Sequence, residues 1–135
     1  MQATGIKHDS DKPDMSLLSS IAMVKVAEVM SFGKKKYAAH NWRGGFAWSR
    51  PAAAALRHIF AWLGGENKDP ETGLSHLAHA SCCLMFLLEF ESTRVELDDR
   101  FKISERPQAL PDFSADELSP GNYYFDDGVL KRMDD

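Results

Sequence analysis

The sequence predicts an all-α fold: a helical bundle over residues 1–104, followed by an irregular, acidic, Pro-containing tail over 105–135. Three observations carry this expectation. Apolar residues recur at helical spacing through Leu17, Leu18, Ile21, Val24 and Met30. The stretch from Leu74 to Phe90 is apolar nearly all round, as in a helix buried in the middle of a bundle. Apart from a short piece at 101–103, no stretch has convincing strand character, and neither an internal repeat nor a heptad array appears.

The elements follow in order. Residues 1–8 are polar and include Gly5; Asp9, Asp11 and Pro13 then keep the backbone out of helix. A first helix is expected from about Ser16 to Phe32, with Gly33 ending it in the left-handed conformation. A loop from Lys34 to Gly45 mixes cations, aromatics and glycines. Ser49 is placed as the N-cap of a second helix, with Pro51 in its first turn, and Gly64-Gly65 stops it. A third helix runs from about Leu74 into the 90s. Beyond Arg106, Pro107, Pro111, Pro120 and Gly121 break any long element; Ser114 with Glu117 suits the cap of one short helical turn, and Tyr123, Tyr124 and Phe125 suit pinning the tail to the body or to a neighbouring subunit.

Composition narrows the function classes. The 135 residues suit one compact domain, 44% hydrophobic and 27% charged. No basic leader with an apolar stretch opens the chain, and the run Leu77–Leu88 is too short to cross a bilayer, so a cytoplasmic protein is expected. Cys82 and Cys83 are adjacent in a helical pattern and point about 100° apart, which favours free thiols over a disulfide. The net charge of −4 is unevenly spread: residues 1–57 hold nine Lys/Arg against four Asp/Glu, 58–104 four against eight, and 105–135 three against eight. Acidic later segments argue against general nucleic-acid binding. A basic front beside an acidic middle is the balance that a metal–polyphosphate site needs, although ordinary solvated faces also produce it.

The chemistry concentrates between Arg57 and His79. This segment holds His58, His76 and His79, three of the chain's five histidines, with Glu66, Asp69, Glu71 and Arg57. Converging carboxylates and imidazoles are a ligand set for a divalent cation, and an arginine suits phosphate. His76 and His79 share one face of the third helix at i, i+3. A single core histidine bonded to a carbonyl is the commoner situation; two on one face beside an acidic loop tip the balance towards ligands or phosphate donors. Imidazole suits Mn²⁺ or another transition ion better than Mg²⁺. Glu66 and Asp69, three apart, have the spacing to share a cation, while the plain alternative is a surface loop capping the third helix through Glu71 or Thr72. Glu28 sits mid-helix, facing either solvent near Lys25 or the interior as a further ligand.

Elsewhere, Lys34, Lys35, Lys36, Arg43 and Arg50 surround Tyr37, Asn41 and Trp42. Such a mixture can stack on a base and hold its edge and phosphates, or be a basic loop that Trp42 anchors to the core. His8-Asp9 matches the HD dipeptide of metal phosphohydrolases but falls in a non-helical arm and is set aside. No nucleophile elbow, P-loop or dinucleotide fingerprint occurs, and thiols in an apolar helix are poor nucleophiles. The chemistry left is metal-assisted attack of water on a phosphate.

The strings G5-I-K-H-D-S-D-K12, E28-V-M-S-F-G-K-K-K-Y37, N41-W-R-G-G45, R57-H58, W62-L-G-G-E66-N-K-D69-P-E-T-G73 and H76-L-A-H79 together resemble the small phage dATP/dGTP diphosphohydrolases. These are relatives of the MazG-like all-α nucleotide pyrophosphohydrolases and include the MazZ enzymes. The resemblance runs from about residue 5 to residue 90. It implies a metal-dependent hydrolase that splits a purine deoxynucleoside triphosphate at the α–β bond, with Mg²⁺ or Mn²⁺ as cofactor. It also implies a homo-oligomer (dimer or tetramer), no nucleic-acid or membrane partner, and a place in the host cytoplasm if phage-encoded. In phages whose DNA carries 2-aminoadenine, the MazZ branch shapes the dNTP pool. On this resemblance Glu66 and Asp69 are the expected core ligands, with His58, His76 and His79 as ligands or phosphate donors. Arg57, Lys36 and Lys12 would hold phosphates, and Asn41 and Trp42 would face the base. The E-E-x-x-E string of the wider superfamily is absent, and E66-x-x-D69 falls in a Gly/Pro-rich stretch where the superfamily has helix.

Overall fold

The computed structural model of the chain describes residues 2, 4–102, 123–126 and 129–132. It divides into two compact units, Met1–Arg100 and Phe101–Asp135. The first is all-α, as the sequence predicts. It contains α1 (Ser20–Lys36), α2 (Ser49–Leu63) and α3 (His76–Thr93), with 3-10 turns at Met15–Leu17, Asn41–Gly44 and Val95–Leu97. In the second unit, β1 (Tyr123–Asp126) pairs antiparallel with β2 (Val129–Arg132), Tyr123 opposite Arg132 and Asp126 opposite Val129. The sequence reading assigned no strand there. With only four residues in each strand, the hairpin gives periodicity too little length to separate strand from irregular chain. The helical turn expected near Ser114 and Glu117 lies outside the described residues, as does the end of the 101–103 piece.

Three helix boundaries differ from expectation. The first helix starts at Ser20, where the Ser19 hydroxyl caps it by accepting from the Ala22 N–H. It then continues through Gly33 to Lys36. Left-handed glycine conformations occur instead at Gly45, Gly65 and Gly73. A single glycine costs only about 1 kcal/mol inside a helix, too little to stop one that continues into three lysines favourable to its negative C-terminal end. Ser49 is the first residue of α2 and not its cap; its N–H and hydroxyl both bond the Asp99 carboxylate. The cap thus comes from fifty residues downstream, which local spacing cannot reveal.

α2 and α3 are antiparallel neighbours. The Trp48 indole, just before α2, donates to the Arg94 carbonyl after α3, 3.0 Å away. Val26 and Val29 of α1 pack on Ala78 and Cys82 of α3, with Met30, Leu74 and Phe86 against them. Burial pushes the Cys82 thiol up to about 12, with Cys83 adding to the effect, in keeping with an unreactive core thiol. A second cluster closes the other end: Trp42 stacks on Phe86 at 4.5 Å, and Phe46 meets Phe90 edge-on at 5.5 Å.

The turn that delivers Trp42 ends at Gly45, with φ 90° and ψ 152°, a region essentially reserved for glycine. A Cβ there would lie 2.6 Å from Leu97 Cδ1 and 3.2 Å from Arg94 Cδ. Gly45→Ala is therefore expected to cost about 1–3 kcal/mol, seen as a lower urea midpoint. Gly44→Ala, with nothing within 4 Å, is the near-neutral control.

Candidate metal centre

The loop joining α2 to α3 is tightly determined by its own backbone. Gly64 and Gly65 close α2, and the Glu66 N–H returns to the Ala61 carbonyl. Lys68 and Ser75 form an antiparallel bridge, which folds the segment back on itself. At its tip the Asp69 N–H donates to the Leu74 carbonyl, and the Gly73 N–H donates to that of Asp69 at 2.7 Å. Gly73 has φ 71°, which a side chain would resist. Asp69 Oδ1 accepts from the N–H groups of Glu71 and Thr72 at 2.8 and 3.3 Å. That leaves Oδ2 pointing to His58 Nδ1, 3.7 Å away. Ser75 caps α3 by accepting from the Leu77 N–H, and the His76 N–H is taken by the Asn67 carbonyl.

This folding brings His58, Asp69 and His76 together. One ligand atom of each lies within 4.8 Å of the others. The Nδ1 atoms of His58 and His76 are 2.9 Å apart, which is the separation of adjacent ligands held about 2.1 Å from a cation. His76 is buried, and its Nε2 bonds Glu66 Oε1 at 2.6 Å. A carboxylate only accepts, so in the neutral ring the proton sits on Nε2 and the Nδ1 lone pair is free. His58 Nδ1–H then donates to it; ligation by His58 requires that proton to move to its Nε2.

His79 lies beside the His58–Asp69–His76 group and is not part of it. Its ring stacks on His58 at 4.6 Å and 9°, and its Nε2 lies 2.7 Å from the Thr72 hydroxyl. Thr72 is a site residue that sequence reasoning considered only as a helix cap. Its sole signal was its position in the same acidic loop. Glu66 stands behind His76. Lys36, at the end of α1, reaches Glu71 at 3.5 Å, and Tyr37 and Glu71 both hold its pKa above the usual lysine value. Arg57 is exposed on α2 beside His58, and Lys12 lies exposed in the N-terminal arm. Asn41 is exposed, whereas Trp42 is half-buried against Phe86. Along α3, Phe86 is seven residues from His79, about 10 Å, so the Trp42 ring is packed on the core away from the histidines.

Burial, the positive charge of His79 and, more weakly, His76 and Arg57 hold His58 below the ordinary histidine value, while Asp69 opposes them. Burial also holds His79 low, against the pull of Asp69. At Asp69 burial works against ionisation, but the Glu71 and Thr72 N–H groups and the two imidazoles outweigh it, so its pKa is lowered. His58 and His79 are thus neutral and Asp69 ionised at pH 7, the forms that bind metal.

On acidification the unfolded chain takes up protons at these histidines first, near pH about 6.5. Their contribution is complete above that value and is lost as pH falls towards the depressed folded values; that of Asp69 is lost only at lower pH, below about 3.9. A rise in Tm caused by Mn²⁺ should therefore persist through about pH 6.5 and be lost only at lower pH, because the native His58 takes up its proton later than a free imidazole; thermal melts across this acid range read it. Weakening that begins above pH 7 would contradict this arrangement.

Residues 2–100 match the family model described as dATP/dGTP diphosphohydrolase, N-terminal. A protein of Salmonella phage PMBT28 named dATP/dGTP diphosphohydrolase is 38% identical over 97 residues, covering 72% of this chain. The chain spans only 33% of that relative's length. No solved structure matches. Among the described residues, no helix is long and apolar enough to cross a membrane.

Proposed function

The chain belongs to the dATP/dGTP diphosphohydrolase N-terminal family, and from that premise we propose that it hydrolyses purine deoxynucleoside triphosphates, dGTP or dATP, at the α–β bond. The products are the monophosphate and pyrophosphate. In a phage, this would shape the dNTP pool for modified DNA. The observation that carries the reading is the convergence of His58, Asp69 and His76 at ligand distances.

The donor set fits a divalent cation, and with two imidazoles it suits Mn²⁺ better than Mg²⁺. Such an ion, when bound, polarises phosphate oxygens and lowers the pKa of water. His58, Asp69 and His76 would hold it, Glu66 would fix the His76 tautomer, and the Thr72–His79 pair would orient the His58 ring through stacking. Arg57 and Lys36, with Lys12 on its arm, would supply positive charge to the phosphates. Incubation with dGTP, dATP and other nucleotides under Mn²⁺ or Mg²⁺, with product identification, tests the reading. Pyrophosphate release is expected; triphosphate or orthophosphate instead, or no turnover, would sink it. Because the chain spans a third of its relative, a non-catalytic nucleotide-binding module is the second reading, and affinity without product would select it.

We also propose a homo-oligomer. Phe90 is the one large side chain fully buried among the described residues, while Phe60 and Leu63 of α2 are 66% and 65% exposed and Leu88 of α3 is 68% exposed. Leu56, Phe60 and Leu63 form one stripe along α2, at i, i+4, i+7. Water-facing rows of this kind favour self-association. Sedimentation should show a dimer or tetramer, and Phe60→Asp should reduce its size. A monomeric wild-type protein would overturn the proposal.

A further inference from the structure

Alongside the metal centre, α1 and the loop before α3 enclose an open cleft of about 380 Å³. Its walls include Val24, Glu28, Phe32 and Lys35 of α1, and Thr72 and Leu74. Phe32 lies one turn beyond Glu28 and Lys35 nearly two turns beyond it. Thr72 is common to the cleft and the centre: its N–H is held by Asp69 and its hydroxyl by His79. A ligand filling the cleft therefore meets Thr72, whose N–H helps to hold Asp69. Among the described residues, Glu28 makes no side-chain hydrogen bond or ion pair and belongs to no metal-competent group.

We infer that this cleft receives the base of the nucleotide, and that Glu28 selects guanine over adenine. The inference rests on the proposed nucleotide chemistry of the neighbouring centre. The volume is in the range of small-molecule sites. Val24, Leu74 and the half-exposed Phe32 ring offer apolar and stacking contacts to any purine. Glu28 supplies the discrimination. Its two oxygens accept side by side, matching the adjacent N1–H and N2–H donors of guanine. Adenine places an N1 acceptor beside its N6 donor, so one carboxylate oxygen would face a lone pair. Lys35, at the same wall, is available to the sugar–phosphate side.

The test is calorimetric titration of the full chain with dGMP and dAMP in Mn²⁺. It needs no turnover, so the cleft can fail independently of the hydrolase reading. Wild type should bind dGMP more tightly than dAMP. Glu28→Gln, which loses the charge and one acceptor, should weaken dGMP about tenfold and change dAMP by less than about twofold. Val24→Trp, at an exposed position where folding is not at stake, should fill the cleft and weaken both nucleotides while the Mn²⁺-induced rise in Tm survives. An unchanged dGMP/dAMP ratio in Glu28→Gln would overturn the inference, as would no dGMP preference in wild type or unchanged affinities in Val24→Trp. A retained preference with no triphosphate hydrolysis would leave the cleft standing and sink only the hydrolase reading.

Discussion

Asp69→Asn is expected to reduce pyrophosphate release about 10³-fold, because a metal ligand supplies several kcal/mol of transition-state stabilisation and each 1.4 kcal/mol is tenfold. The fold should survive. The asparagine carbonyl can still accept from the Glu71 and Thr72 N–H groups that Oδ1 now engages; what disappears is the charge of the oxygen directed at His58. Two measurements separate these effects: circular dichroism should be unchanged, and the Mn²⁺-induced rise in Tm should be lost, since only a ligand bound by the native state stabilises it. Glu66→Gln acts one bond further out, through His76, and should cost about 10–100-fold. A variant of Asp69 that keeps wild-type turnover and a full Mn²⁺ response would remove Asp69 from the centre.

Phe90→Ala should give the largest loss of stability, about 3–5 kcal/mol. Phe90 is fully buried, and its ring lies 5.5 Å from Phe46 and 6.1 Å from Trp42. Removing it opens a void between two elements that are fixed by the chain geometry at Gly45 and Trp48, so little collapse can refill the space. Denaturant unfolding, at fixed protein concentration, should show a lower midpoint. Phe90→Leu keeps most of the volume and should recover much of the difference. A loss below 1 kcal/mol for the alanine variant would mean that Trp42 and Phe46 close over the gap.

The site was legible as a segment more than as a geometry. Three histidines beside three carboxylates marked residues 57–79 from composition alone, and the i, i+3 spacing placed His76 and His79 on one helical face. That spacing did not say that the two rings do different things. His76 turns its Nδ1 to His58 and its Nε2 to Glu66, while His79 stacks on His58 and meets Thr72. Asp69 and Glu66 read as equivalent in E66-x-x-D69, yet the Asp69–Gly73 turn holds one against His58, and the other packs behind His76. Trp42 was equally ambiguous in the sequence, and the structure stacks it on Phe86.

By itself the sequence determined the three helices, their approximate limits, and the acid–imidazole content of the α2–α3 connection. Those are local properties: periodicity, capping and glycine placement act within a few residues. Tertiary structure alone decided that Asp99 caps α2, that His58 joins His76 and Asp69, and that α1 walls a cleft ending at Thr72. Each depends on the rotation and register of one helix against another. Packing across the whole chain sets those, and no short stretch of residues encodes them.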